Sequence, residues 1–274
     1  MDRPLAGDGA QKQPVAVALE DVRLQYGSFT AIEKISFAVP RGQFTAIVGP
    51  TGCGKSSVLN LVAGLTAPSV GRVLADGASV HSINRRAAYM FQSDALLPWK
   101  TVLDNVRLGP MLRGAAASEA IAQAREWVTR VGLAGFEDRY PHQLSGGQRK
   151  RVAMAQVLIN RLPLLLMDEP FSALDVQTRA LMEQELLGLW QDLDATVLFV
   201  THDLEEAIAL SDRVILFTAG PGATLKGEYE VPLARPRNVV EARFQPGFAE
   251  VFERIWADLR EEVMTSYRRS RESA

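Results

Sequence analysis

Gly49-Pro50-Thr51-Gly52-Cys53-Gly54-Lys55-Ser56 decides how this chain folds. The compact apolar run Phe44–Val48 leads into it, and a helical stretch, Ser57 to Gly64, follows. Strand, glycine-rich turn and helix in that order match the phosphate-binding loop pattern Gly-x-x-x-x-Gly-Lys-Ser. The glycines let successive backbone N–H groups approach phosphate oxygens with no side chain in the way. The helix that starts near Lys55 adds roughly half a positive charge at its N-terminus. Lys55 supplies a full charge for the β- and γ-phosphates, and the Ser56 hydroxyl is a ligand for Mg2+. Ser57 and the amides of Thr51, Gly52, Cys53 and Gly54 complete a cradle that Gly49 and Pro50 open. Cys53, the sole cysteine, reads as a small filler without catalytic use. Its thiol pKa is expected to be lowered by the helix-terminal amides and Lys55, and alkylation there is expected to block the nucleotide site.

Outward from the loop, Val15–Leu24 and Lys34–Val39 alternate apolar and polar side chains, as half-buried strands do. Strands return at Leu164–Met167, Thr196–Thr201 and Arg213–Phe217, separated by helical Val176–Gln191 and Leu204–Leu210. This alternation predicts an α/β fold: a mixed sheet, mainly parallel at its centre, flanked by helices and joined by antiparallel N-terminal strands. Between about residues 94 and 160 helical periodicity replaces strands, in Thr101–Leu112 and Ser118–Val131, which predicts an inserted helical subdomain. Residues 1–13 read as a mobile tail, 14–232 as one domain and 233–274 as a helical extension entered through a linker, Ala234–Arg237. In that extension Phe248, Val251, Phe252, Ile255, Leu259 and Val263 share one helix face. The polar face is mainly acidic, which favours packing on the core over lying on a membrane.

Composition sets the outer bounds. The 274 residues are 47% hydrophobic and 23% charged, the balance of a folded protein rather than a disordered one. Thirty Lys and Arg against 32 Asp and Glu leave a net charge of −2, with no electrostatic footprint for nucleic acid. One cysteine excludes an intrachain disulfide framework. No apolar run approaches the ~20 residues that span a bilayer, so a cytoplasmic chain is expected.

Two further strings carry chemistry. Leu164-Leu165-Leu166-Met167-Asp168-Glu169-Pro170 is an apolar strand ending in two carboxylates. Beside the phosphate loop, Asp168 falls near Mg2+, through water, and Glu169 can orient or deprotonate an attacking water. Having both acids favours a hydrolase. Leu144-Ser145-Gly146-Gly147-Gln148 presents Ser145 and free backbone N–H groups to a second anion, at the start of a helix.

On these strings the sequence resembles the ATP-binding cassette (ABC) family of phosphate-loop ATPases, over about residues 15–230. The resemblance implies that ATP and Mg2+ bind, and that Ser145, Gly146, Gly147 and Gln148 of one copy close over the γ-phosphate held by a second copy. It implies an adenine-stacking role for Tyr26 and contact with Mg2+ and water for Gln92. Ser172-Ala173-Leu174-Asp175 matches the loop that crosses the dimer interface, which puts Asp175 in the partner's site. His202 matches the histidine that contacts the γ-phosphate. Gln156 departs from the family pattern, which usually has Arg there.

Two jobs are compatible with such an ATPase: energising transport, or acting on DNA ends or ribosomes. The stretch of about 90 residues between phosphate loop and signature has no sustained heptads, unlike relatives that carry coiled coils, and there is one cassette rather than two. Phe91–Val106, with Leu96-Leu97-Pro98-Trp99, resembles the nitrate/sulfonate/taurine import subfamily. That implies a membrane permease contacted around Gln92–Val106, a solute-binding protein acting indirectly, and a peripheral position on the cytoplasmic face of the inner membrane. Another importer type or an exporter stays open as the alternative.

Overall fold

The computed structural model describes residues 14–272, so the tail read at 1–13 lies outside it. β1 (Val15–Tyr26) and β2 (Phe29–Pro40) form an antiparallel hairpin. Their alternation puts Val17, Leu19, Val22 and Leu24 on the same buried face as Ile32, Ile35, Phe37 and Val39. β3 (Phe44–Val48) is buried throughout and runs into the glycine loop and α1 (Lys55–Ala63). β4 (Val70–Ala75) and the edge strand β5 (Ala78–Ser79) follow, then β6 (Ala87–Met90) at the opposite edge.

The helical insertion holds α2 (Val102–Val106), α3 (Leu108–Leu112), α4 (Ala117–Arg130) and α5 (Gly146–Leu158). Thr101–Leu112, read as one helical stretch, is two short helices. Pro110 sits in the first turn of α3, where its missing N–H costs nothing. The chain then alternates β7 (Leu164–Asp168), α6 (Val176–Gln191), β8 (Thr196–Val200), α7 (Leu204–Leu210) and β9 (Arg213–Phe217). β10 (Ala223–Glu230), α8 (Val239–Ala242) and α9 (Phe248–Glu272) complete it.

Among the described residues the sheet has ten strands in the order β5-β4-β1-β2-β10-β9-β3-β8-β7-β6. β6, β7, β8, β3 and β9 are parallel, while the β1/β2/β4/β5 end is antiparallel. The parallel strands are buried on both faces. In β8, Val197 and Phe199 join the core under α5, α6 and α7, while Leu198 and Val200 join the core under α1 and the hairpin. Register aligns the strand ends: Ile47 and Asp168 both pair with Val200, and Met90 pairs with Met167. The phosphate loop, Asp168-Glu169, Thr201-His202 and Gln92 therefore leave the sheet at one edge, outside the carboxyl ends of its strands.

The C-terminal segment packs on this core. Phe248, Val251, Ile255 and Leu259 are buried in the same cluster as β3 and α7 residues, whereas Val263 is 43% exposed. α9 also runs nine residues past the Val263 end read from the sequence, to Glu272. Ala234–Arg237 is not a free linker. Arg237 is 3% exposed and donates to the Ser211 and Leu233 carbonyls. Arg235 bonds Asp212 at 2.6 Å and lies over the Trp190 ring.

Candidate active site

The phosphate loop owes its shape to what lies beneath it. A Cβ at Gly49 would sit 2.9 Å from Cys53 Sγ and 3.1 Å from the Phe217 carbonyl oxygen, so only glycine fits. Gly54 caps α1 in the left-handed conformation. Lys55 is 6% exposed and its Nζ donates to the carbonyls of Gly49 (2.8 Å) and Pro50 (3.1 Å). The cation is thus held under the mouth of its own loop.

Cys53 corrects one expectation. Its side chain is fully buried, pointing into the apolar layer beneath the loop, and burial pushes its thiol pKa up rather than down. Lys55 and backbone N–H groups act in the opposite direction but are outweighed. Cys53 can serve a phosphate through its backbone, not its sulfur.

Ser56 Oγ donates to Asp168 Oδ1 at 2.9 Å, bridging α1 and β7. Tyr89 OH stands 3.5 Å from the other Asp168 oxygen and 3.2 Å from Asn60 Oδ1. Burial raises the Asp168 pKa, and the neighbouring Glu169 charge adds to it, against the Ser56 hydrogen bond. Tyr89 and Asn60 carry no motif; their place beside Asp168 follows from the parallel β6/β7 register and the face of α1, which a local pattern does not encode.

Glu169 is the hub. Its φ is +43°, a left-handed conformation that costs a non-glycine residue about 1 kcal/mol, and its N–H continues the ladder to the Val200 carbonyl at 2.9 Å. One carboxylate oxygen, Oε2, lies 3.3 Å from Gln92 Nε2 and 3.1 Å from His202 Nδ1. Lys150, 3% exposed, donates to the Gln92 carbonyl at 3.0 Å and pairs with Asp94 at 3.1 Å, tying the Gln92 segment to α5. Arg179 bonds Asp203 at 3.1 Å and the Leu174 carbonyl at 3.2 Å, tying the Ser172–Asp175 loop to the start of α7. Tyr26 ends β1 at the hairpin turn, 49% exposed.

The signature string starts α5. Ser145 Oγ accepts from Gln148 N at 3.2 Å and Gln148 Oε1 accepts from Ser145 N at 2.9 Å, a capping box. Asp175 caps α6, accepting from Thr178 N at 3.0 Å. Among the described residues no hydrogen bond or ion pair joins Ser145–Gln148 or Asp175 to residues 49–57. One chain thus gathers Lys55, Ser56, Gln92, Asp168, Glu169 and His202 and leaves the signature apart from them.

Residues 32–172 match the ABC transporter family model. The chain belongs to the ABC transporter family. Within it, this ABC ATPase is 45% identical to an aliphatic sulfonates import ATP-binding protein of Pseudomonas aeruginosa, over 90% of this chain and 86% of that protein. It is 38% identical to a nitrate import ATP-binding protein of Synechococcus elongatus, over 82% of this chain and 83% of that one. A solved dimeric cassette in a post-hydrolysis state, bound to ADP and phosphate, superposes with a TM-score of 0.69 at 31% identity, covering 80% of this chain and all of that one. The ABC ATPase carries the phosphate-loop fold of those cassettes. Among its described residues no helix is long and apolar enough to cross a membrane.

Proposed function

We propose that this ABC ATPase energises uptake of a small nitrate-, sulfonate- or taurine-like solute through a separate membrane permease, by ATP-driven closure of a dimer. The observation that carries this is the meeting of Gln92 and His202 on one oxygen of Glu169, beside the Ser56–Asp168 pair. That is a hydrolytic constellation at the mouth of a phosphate loop. Names of relatives that align over most of the chain support import rather than export.

Ser56 Oγ, Asp168 and the Gln92 amide oxygen form a hard, oxygen-only donor set, which suits Mg2+ held jointly with phosphates. When bound there, Mg2+ would neutralise charge on the β- and γ-phosphates. The phosphates themselves meet the amides of residues 51–57 and the N-terminus of α1. Lys55 exchanges its two loop carbonyls for β- and γ-oxygens. Tyr26 stacks on the adenine. Glu169 orients the attacking water and takes its proton, Gln92 holds that water, and His202 fixes the γ-phosphate relative to Glu169.

Ser145, Gly146, Gly147, Gln148 and Asp175 come from the second copy and complete each site. Closure then moves the segment around Gln92–Val106, which contacts the permease; Trp99 there is 71% exposed. The solute-binding protein acts only through the permease. Residues 14–232 form the ATPase domain, 94–160 its helical subdomain and 233–274 an extension. The complex sits on the cytoplasmic face of the inner membrane. Affinity capture of the tagged chain from detergent-solubilised membranes tests this. An integral permease in stoichiometric amount is expected; ribosomes or chromosomal DNA in its place would overturn it.

A further inference from the structure

Glu262 is a carboxylate on α9 that is only 9% exposed, so its partners show what it is held there for. Its Oε2 accepts from the backbone N–H of Ala219 at 2.8 Å, and its Oε1 lies 3.0 Å from Lys226 Nζ. Two turns further along the same helix, Arg269 Nη1 donates to the carbonyls of Ala219 (3.2 Å) and Gly220 (3.1 Å). The loop leaving β9 thus has both polar groups of Ala219 and the carbonyl of Gly220 met by side chains 43 to 50 residues later in the chain.

The other side of that loop is the phosphate loop. A Cβ at Gly220 would lie 2.8 Å from the Gly52 carbonyl oxygen and 3.1 Å from Cys53 Cα, so the two backbones touch. Gly222 N donates to the Thr30 carbonyl at 2.7 Å, tying the same turn to the start of β2, just past the Tyr26 hairpin. α9 also docks through its apolar face, through Asp258 on the Tyr229 hydroxyl and through Glu261 on Lys226; here it places a buried carboxylate and a guanidinium on backbone groups of a loop. Charge-assisted bonds to backbone fix position in a way apolar contact does not.

We propose that Glu262 and Arg269 are positioning residues of the ATP site: they hold the 218–222 loop against the back of Gly52-Cys53 and so set the geometry in which the cradle amides meet phosphate. The proposal rests on the reading of residues 49–57 as that site. Glu169, Gln92 and His202 follow β7, β6 and β8, away from this clamp, so loosening it acts on ATP binding and not on the hydrolytic step.

Steady-state ATP hydrolysis by the full chain, with Tm recorded without nucleotide, tests it. Glu262→Ala is expected to raise KM for ATP about five-fold, the worth of one such hydrogen bond, with kcat within about two-fold. Arg269→Ala is expected to raise KM about three-fold, and Glu262→Gln, whose amide oxygen still accepts from Ala219, to restore KM to within about two-fold. Unchanged KM in both alanine variants overturns the proposal, as does a Gln variant no better than Ala. If Glu262→Ala does not fold, Arg269→Ala on the exposed rim decides alone. A parent chain without ATPase activity overturns the functional reading as well; an active parent with indifferent variants overturns only the clamp.

Discussion

His202 Nδ1 and Glu169 Oε2 stand 3.1 Å apart, at the ends of two neighbouring parallel strands. In the proposed site one of the two would hold phosphate while the other orients water, and sheet register rather than a loop sets their separation. His202→Ala is expected to lower kcat about 100-fold, with KM for ATP changed by less than about three-fold. Steady-state phosphate release measures both. A rise in KM alone would mean that His202 only binds.

Cys53 is fully buried beneath the phosphate loop and its thiol pKa is raised by that burial. Maleimide at neutral pH is therefore expected to label the native chain at least about ten-fold more slowly than the denatured chain. Bound ATP, by favouring the closed loop, is expected to slow it further. Labelled protein should not hydrolyse ATP, because an adduct does not fit under Gly49. Fast labelling of folded, active protein, followed by mass spectrometry, would contradict this burial.

Glu183 and Glu206 are buried together beside a cavity of 520 Å3 between α6, α7 and α9. Burial raises both pKa values. Asp203 repulsion adds to both and the Glu183 charge adds to that of Glu206, against Arg179 at both, Arg243 and a hydrogen bond with Glu206 at Glu183, and the Thr201 hydroxyl that donates to Glu206. Raised folded-state values mean that the folded chain binds more protons than the unfolded one. Stability is therefore full below the ordinary carboxylate pKa, falls as pH rises towards the folded-state values, and is lost above them. Tm is expected to be about 2–5 °C lower at about pH 8.5 than at about pH 6. The double variant Glu183→Gln, Glu206→Gln is expected to flatten that slope in thermal melts. Parallel slopes for parent and variant would contradict the assignment of this pH dependence to Glu183 and Glu206.

What could be read from the sequence is what local physics determines. β3, α6, α7 and β9 fall where apolar periodicity placed them, and Asp175 and Asp203 cap their helices from adjacent positions. β4 carries no local signal, because its Val70, Gly71 and Arg72 are exposed and show no apolar alternation. β6 is four residues long, too short to show a period. Arg235 and Arg237 look like linker residues beside Pro236, yet they satisfy the carbonyls of Leu210 and Ser211 at the end of α7. The candidate site was legible wherever a motif supplies it; Tyr89, Asn60, Lys150 and Glu262 were not, since each acts through partners distant in sequence.

The central claim, that Glu169 handles the water in a site completed by a second copy, is tested most directly by Glu169→Gln. ATP hydrolysis and oligomeric state are measured on the same sample, by phosphate release and by size-exclusion chromatography with light scattering in ATP and Mg2+. The expected result is a loss of turnover of at least about 100-fold, with ATP retained and a dimer more stable than the parent's under the same conditions. Normal turnover, or a monomer that holds ATP without dimerising, would contradict it.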